Sequence, residues 1–201
     1  MLSEKEKEEI RNVLKEMKGS VTIMFFKDES SEFERILEEI TKMNDKIFLE
    51  VFSCNSEEAK KLNVQNFPMI TFKERQNIKF FGFPYGYEFS VFLANIVAIS
   101  NKKIDISKEV ANEISKIDKN VNIKVFTTPF CPYCPKAAYV STQFSLINDK
   151  IVSEIFDVSK FNELAEKYNV FAVPKVVIND KIEFEGAVHE KYFLKKILEA
   201  V

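Results

Sequence analysis

The sequence predicts an α/β fold made of two tandem units, each with a mixed central sheet flanked by helices. The first observation is an internal repeat: the segment Glu57–Val64 is similar in sequence to Glu163–Val170. A proline lies four residues after the end of each copy, at Pro68 and Pro174. The second is that in both halves the opening helix is followed by the order strand, helix, strand. This order implies a parallel pair of strands joined by a right-handed crossover. The third is a closing pair of short strands in each half, which implies an antiparallel hairpin.

The repeat predicts two domains, residues 1–102 and residues 103–201. A chain of 201 residues suits two small domains, each able to bury a modest core. Ser100–Lys103 is the polar segment after which the order of elements begins again.

The first half opens with a helix, because Ser3 and Glu6 have the spacing of a capping box and Gly19 ends the run. Apolar residues at helical spacing predict that its inward face is formed by Ile10, Val13, Leu14 and Met17. Apolar periodicity and turn signals then predict strands at 21–26, 47–52, 69–72 and 78–81 and a short helix at 56–62. Between the first two strands they predict a helix with the apolar residues Phe33, Ile36, Leu37 and Ile40. The half closes with a helix whose inward face is Phe89, Phe92, Leu93, Ile96 and Val97.

The second half repeats this order. The same signals predict a helix at 107–117, a strand at 121–126, a helix ending near Ile147, a strand ending at Asp157, a helix near 163–168, strands near Ile178 and Ile182, and a last helix after His189.

Composition excludes several classes of protein. With 46% hydrophobic and 30% charged residues the chain is globular, and no run approaches the roughly 20 apolar residues of a membrane helix. The net charge of -2 shows no excess of positive charge that would attract nucleic acid or an anionic membrane, so we expect neither as a partner. The charged start, Met1–Glu9, lacks the apolar core of a signal peptide, and a cytoplasmic location is therefore expected.

Cys131 and Cys134 are the candidate redox pair, placed between a predicted strand and the start of a predicted helix. A helix N-terminus stabilises a thiolate and lowers the pKa of a nearby thiol, which makes Cys131 a nucleophile. Cys134 lies three residues on, about one helical turn away, where it can attack a mixed disulfide formed at Cys131.

The cysteines have other interpretations. Two packing cysteines, a zinc site or an iron-sulfur cluster shared between chains are alternatives, but only Cys54 and His189 remain as further sulfur or imidazole ligands. Cys54 is expected to be a partly buried small side chain, and His189 a surface or capping residue. Asp157, at the end of a central strand, is a weaker acid/base candidate.

Cys131-Pro132-Tyr133-Cys134 resembles the active site of glutaredoxins, and the whole arrangement resembles the thioredoxin superfamily. A closer similarity is to the protein disulfide oxidoreductases, glutaredoxin-like proteins with two tandem thioredoxin folds. The matching segments are Thr128–Pro135, Tyr168–Lys175 and Phe184–Ala187.

The resemblance implies residue roles. It makes Cys131 the nucleophile, Cys134 the resolving cysteine and Pro174 a cis-proline that leaves the backbone of Val173 free to pair with an extended substrate. Pro132, Tyr133, Val173 and Pro174 are therefore the predicted substrate-binding residues. No metal or organic cofactor is expected, because the redox group is the Cys131–Cys134 disulfide itself.

The sequence departs from the family at several positions. Ser31 and Glu34 stand where the first half of many members carries a cysteine pair, so that half is predicted to be redox-silent. Val125 replaces the aspartate that many thioredoxins place six residues before the first cysteine. A silent first fold and an active second one resemble the N-terminal module of alkyl hydroperoxide reductase flavoproteins.

The predicted function is that of a thiol-disulfide oxidoreductase that reduces, forms or isomerises protein disulfides, with a thioredoxin-reductase-like flavoprotein as electron donor. One alternative is a glutathione-dependent glutaredoxin, and another is an electron relay to a peroxiredoxin. An alternative of another class is a non-catalytic protein-binding module.

Overall fold

The computed structural model describes residues 2–28 and 32–201. The helices of this part of the chain are α1 (Glu4–Leu14), α2 (Glu32–Thr41), α3 (Glu57–Lys61), α4 (Glu88–Asn101), α5 (Lys108–Ser115), α6 (Cys134–Ile147), α7 (Asn162–Lys167) and α8 (Glu190–Ala200). The strands are β1 (Val21–Lys27), β2 (Ile47–Ser53), β3 (Met69–Phe72), β4 (Arg75–Phe81), β5 (Val121–Thr127), β6 (Ile151–Asp157), β7 (Lys175–Ile178) and β8 (Ile182–Glu185). The predicted order of elements is confirmed in both halves.

All of these strands belong to one mixed sheet with the order β2-β1-β3-β4-β6-β5-β7-β8. In each half the first two strands are parallel, and the last two form the predicted hairpin. The halves join through β4 and β6, which are parallel from Ile78↔Ser153 to Phe81↔Phe156. The sequence predicts a sheet in each unit but does not predict that the two sheets fuse. The boundary between residues 102 and 103 stays a prediction.

The helices cover the two faces of the sheet unequally. The larger core packs α1, α2, α4, α5, α6 and α8 against one face, while the short helices α3 and α7 cover the other. On this second face the rings of Phe81 and Phe156 stack across the joined strands, with centroids 4.3 Å apart and planes 3° from parallel. Phe161 meets both of these rings edge-on. Aromatic packing therefore continues from one half into the other.

The first helix begins as its sequence predicts. The Ser3 backbone N–H donates to Glu6 Oε2 at 2.7 Å, and the Glu6 N–H donates to Ser3 Oγ at 3.3 Å, which completes the capping box. Ile10 and Leu14 are buried, but Val13 is 40% exposed, so its assignment to the inward face is wrong. Val13 and Leu14 are neighbours about 100° apart on the helix, and only Leu14 is buried in the core.

The parallel strands place three chain segments at one edge of the sheet. Strands β4, β6 and β5 run in the same direction and end at Phe81, Asp157 and Thr127, with Thr127 paired in register to Asp157. The loop that carries Cys131 follows β5, so residues from both halves meet around it. No helix in the described ranges has the length and apolar character needed to cross a membrane.

Candidate active site

The two cysteines of the predicted pair form a disulfide where β5 gives way to α6. Their Cα atoms are 5.4 Å apart. The Cys131 N–H donates to the Thr128 carbonyl at 3.2 Å, which turns the chain after the strand. Helix α6 begins at Cys134, and Pro135 suits its first turn because that turn has no partner for a backbone N–H. The chain thus brings both sulfur atoms to the start of a 14-residue helix.

The two sulfurs have different surroundings. Cys131 is 8% exposed, whereas Cys134 is fully buried. The Cys134 backbone N–H points at Cys131 Sγ, with a nitrogen to sulfur distance of 3.1 Å. The first turn of α6 contains no acidic side chain. A donor aimed at Cys131 and the positive end of a helix both favour negative charge on that sulfur once the disulfide is open.

A cis-proline faces the disulfide, as the resemblance implies. The Val173–Pro174 peptide bond is cis, and the Val173 carbonyl oxygen lies 3.7 Å from Cys131 Sγ. The matching Phe67–Pro68 bond of the first half is also cis. The structure therefore brings Cys131, Val173 and Pro174 together.

Exposed aromatic side chains occur in both loops that meet at the disulfide, the loop of Cys131 and the loop of Val173. Tyr133, one of the predicted substrate-binding residues, is 69% exposed. Phe130 and Phe171 are 80% and 90% exposed, and neither was predicted as a site residue. Large aromatic side chains this exposed around a reactive disulfide are a marker of a protein contact surface. Phe130, Tyr133 and Phe171 together form the aromatic rim.

A buried acidic group from the first half lies beside the active-site loop. Glu88, the first residue of α4, is 4% exposed, and neither carboxyl oxygen has a hydrogen-bond partner among the described residues. Burial, and to a lesser extent the charge of Asp157, raise the pKa of Glu88 from 4.5 to about 8. Its carboxyl is therefore mostly protonated at neutral pH, even though the start of a helix favours the charged form.

Glu88 and Asp157 line one small cavity with two residues that precede Cys131. These are Thr127, the last residue of β5 and four residues before Cys131, and Pro129, two residues before it. The cavity volume is about 10 Å³, close to what one water molecule requires. The Asp157 carboxylate accepts hydrogen bonds from the Ser159 N–H at 3.0 Å and the Ser159 hydroxyl at 2.6 Å. The acidic candidate Asp157 is thus part of the site region, paired with a second carboxyl that the sequence did not reveal.

The contact between α4 and the active-site loop depends on a glycine. The Tyr87 N–H donates to the Pro129 carbonyl at 3.0 Å, and Gly86 has a φ of 62°. A β-carbon at Gly86 would collide with the Pro129 carbonyl group. Only glycine permits both the positive φ and this close approach.

The remaining candidates lie away from the disulfide or outside the described part. Cys54 is exposed in the turn after β2, so its expected partial burial is wrong. His189 caps α8, where its Nδ1 accepts from the Lys191 N–H at 3.3 Å, which confirms the capping prediction. Ser31 lies outside the described residues, while Glu34 forms an ion pair with Lys27 at 2.9 Å.

No group of three or more His, Cys, Asp or Glu side chains in the described ranges could hold a metal ion.

Comparisons with known proteins point to one fold. The family profile described as thioredoxin domain matches residues 121–199. A probable thioredoxin from Methanothermobacter thermautotrophicus is 44% identical over 68 residues, which are 33% of this chain and 80% of that protein. The crystal structure of a protein disulfide oxidoreductase from Aeropyrum pernix superposes with a TM-score of 0.91 at 25% identity, and covers 100% of this chain and 94% of that one.

Longer relatives match almost the whole chain. An alkyl hydroperoxide reductase protein of Escherichia coli is 24% identical over 201 residues, which are 98% of this chain but 37% of that protein. An NADH dehydrogenase of Bacillus subtilis is 22% identical over 170 residues, 85% of this chain and 32% of that protein. The chain thus spans about a third of the length of these two relatives.

Proposed function

The chain belongs to the thioredoxin family of thiol-disulfide oxidoreductases, and we propose that it exchanges electrons with protein disulfides through Cys131 and Cys134. The observation that carries the proposal is the asymmetric disulfide at the start of α6, with Cys131 reaching the surface and Cys134 buried beneath it. The direction of exchange follows the reduction potentials of the chain and its partner.

In this reaction the Cys131 thiolate attacks one sulfur of a partner disulfide. A bond forms between Cys131 and that sulfur, and the other partner sulfur leaves as a thiolate that takes up a proton. Cys134 then loses its proton and attacks Cys131, which releases the second partner sulfur as a thiol and closes the Cys131–Cys134 disulfide. The partner gains two electrons and two protons, while the chain loses two electrons and the Cys134 proton; the second proton is the one that Cys131 released to water when its thiolate formed.

Glu88 is proposed to hold a proton for this exchange. A carboxyl with a pKa of about 8 gives up and regains a proton easily near neutral pH, where catalytic acids and bases are most effective. It shares its cavity with Pro129 of the loop that carries Cys131, and the cavity volume of about 10 Å³ is close to what one water requires to relay the proton. This carboxyl takes the place of the acid that Val125 replaces, although it comes from the other half of the chain.

Substrate docking is assigned to the exposed surface around Cys131. Pro132, Tyr133, Val173 and Pro174 are proposed to contact an extended segment on either side of the partner disulfide. The aromatic rim extends this surface, and its exposed rings suit an apolar partner segment. The first half has a cis-proline but Glu34 in place of a cysteine, and we assign it a supporting, redox-silent role.

No bound metal or organic cofactor enters the proposal, since exchange requires only the two sulfurs. The similarity to an alkyl hydroperoxide reductase protein over 98% of the chain favours a second role, as an electron relay that receives electrons from a separate flavoprotein reductase and passes them to a peroxiredoxin. A cytoplasmic location is proposed together with this role.

The test is dithiothreitol-driven reduction of insulin by wild type, Cys131→Ser and the matched control Cys54→Ser. Wild type and Cys54→Ser are expected to reduce insulin at equal rates, and Cys131→Ser to stay at the dithiothreitol background. If wild type does not exceed the background, reduction of general protein disulfides is refuted, and glutathione mixed disulfides become the substrates to test. Equal activity in wild type and Cys131→Ser would indicate a binding module with incidental cysteines.

A further inference from the structure

Lys175 is a buried lysine directly after the cis-proline. Its side chain is 6% exposed, and its Nζ lies 3.0 Å from Glu183 Oε2. The same Nζ donates to the Asn169 carbonyl at 3.2 Å. Burying an ammonium group costs free energy unless the group is paired and hydrogen-bonded, so a buried lysine at this position indicates a role other than packing.

The hydrogen bond from Lys175 to Asn169 joins the two ends of one loop. Asn169 has a φ of 50° at the end of α7, and Lys175 is the first residue of β7. The segment between them contains Phe171 of the aromatic rim and Val173, whose carbonyl faces Cys131. Phe171 and Ala172 are both exposed, so little packing holds the middle of the loop.

The first half of the chain provides an internal comparison. Its equivalent loop has the same left-handed residue, Asn63, with a φ of 49°, and the same cis-proline, Pro68. The position that matches Lys175 is Met69, which cannot donate a hydrogen bond. The backbone path therefore forms without a lysine. The lysine occurs in the half that carries the cysteine pair.

We propose that Lys175 is a positioning residue that fixes the loop of residues 170–173 for docking of a protein partner beside the disulfide. This inference rests on the proposed function, because it assigns the loop to partner binding. Lys175 acts through the Asn169 carbonyl and takes no part in the sulfur chemistry. Its loss leaves Glu183, which is 62% exposed, with its charge in water, so no buried carboxylate is left unpaired.

The test compares Lys175→Met, the residue found at the matching position of the first half, with Glu183→Gln. The second variant removes the ion pair but keeps the bond from Lys175 to Asn169. Urea unfolding first establishes that each variant folds, and Lys175→Leu, which also cannot donate a hydrogen bond, replaces Lys175→Met if the latter does not. Three measurements then follow: amide hydrogen exchange of Val170, whose N–H donates to the Ala165 carbonyl at 2.9 Å, the KM and kcat of insulin reduction, and the rate of reaction with cystamine.

Lys175→Met is expected to speed exchange of the Val170 amide about ten-fold, because the hydrogen bond from a charged donor that holds the neighbouring Asn169 carbonyl is lost. The KM for insulin is expected to rise about three- to ten-fold with kcat unchanged, since the loop must be ordered on binding. The reaction of the pre-reduced protein with cystamine, which needs no docking surface, is expected to keep its rate. Glu183→Gln is expected to match wild type in all three measurements.

Unchanged exchange of the Val170 amide in Lys175→Met would overturn the positioning role, whatever the activity of wild type. Equal losses with insulin and cystamine would also overturn it, because they would place the effect on the thiols. If wild type itself fails to reduce insulin, the proposed function is refuted, while hydrogen exchange still decides whether Lys175 holds the loop.

Discussion

Replacing the buried acid Glu88 with glutamine is predicted to change how stability depends on pH. The pKa of Glu88 is raised from 4.5 to about 8, chiefly by burial. The folded protein therefore holds a proton at pH values where the unfolded chain has released it, and the free energy of unfolding falls as pH rises through this window. The stabilisation is complete below pH 4.5 and lost once pH exceeds about 8.

The magnitude follows from the width of this window. Each pH unit corresponds to about 1.4 kcal/mol for one proton, so the free energy of unfolding of wild type falls by roughly 5 kcal/mol between pH 4.5 and pH 8 on account of Glu88. Glu88→Gln removes this slope because an amide does not titrate. Glutamine also leaves a buried polar group, a cost of about 1–3 kcal/mol that is the same at every pH and does not affect the slope.

The assay is urea unfolding of the oxidised protein from pH 4.5 to pH 9, followed by far-ultraviolet circular dichroism. Glu57→Gln is the matched control, because Glu57 is the first residue of α3 as Glu88 is of α4 but is exposed. The control is expected to follow wild type, while Glu88→Gln is expected to lose less stability than wild type across the window. Equal slopes in wild type and Glu88→Gln would refute the conclusion that Glu88 is protonated by burial.

Two further predictions concern the surroundings of the disulfide. Gly86→Ala is expected to destabilise the fold by about 3 kcal/mol or more and to slow insulin reduction, because it combines a positive φ with a collision at the Pro129 carbonyl. Gly186 has a φ of 89°, but a β-carbon there would meet no atom within 4 Å, so Gly186→Ala is expected to lower the free energy of unfolding by only about 1–2 kcal/mol. Equal losses of unfolding free energy in Gly86→Ala and Gly186→Ala, measured by urea unfolding, would show that the collision at Pro129 does not matter. Phe171→Ser is expected to lower kcat/KM for insulin about ten-fold with unchanged unfolding, since this 90% exposed ring belongs to the proposed docking surface. Phe48→Ser, which removes a 53% exposed ring on the distant edge strand β2, is the control, and an equal loss there would contradict a docking role for Phe171.

Features encoded by neighbouring residues were predictable from the sequence. The capping box of Ser3, the cis-proline Pro174 and the cysteine pair at the start of a helix depend on short motifs or on the resemblance those motifs support. The order of elements follows from apolar periodicity in the same way. Periodicity fails where the apolar stripe is broad, as it does for Val13, which extends the stripe without reaching the core.

Features that depend on distant parts of the chain were not predictable. An acidic residue at the start of a helix is typically exposed, so nothing local marks Glu88 as buried. Its burial follows from the joining of β4 to β6, which places α4 against the active-site loop. Cys54 was expected inside because cysteine is usually buried, but it follows the last paired residue of an edge strand and is left in solvent.

The most direct test of the central claim, that Cys131 attacks and Cys134 resolves, is covalent trapping of a partner. Reduced Cys134→Ser and Cys131→Ser, each combined with Cys54→Ser because Cys54 is an exposed thiol, are freed of dithiothreitol, mixed with insulin and analysed by non-reducing electrophoresis and intact mass spectrometry. Cys134→Ser is predicted to accumulate a mixed disulfide at Cys131, because its attacking sulfur is retained and its resolving sulfur is gone. Cys131→Ser is predicted to form no adduct, since Cys134 is fully buried. Equal adducts in both variants, or an adduct only in Cys131→Ser, would contradict the assignment.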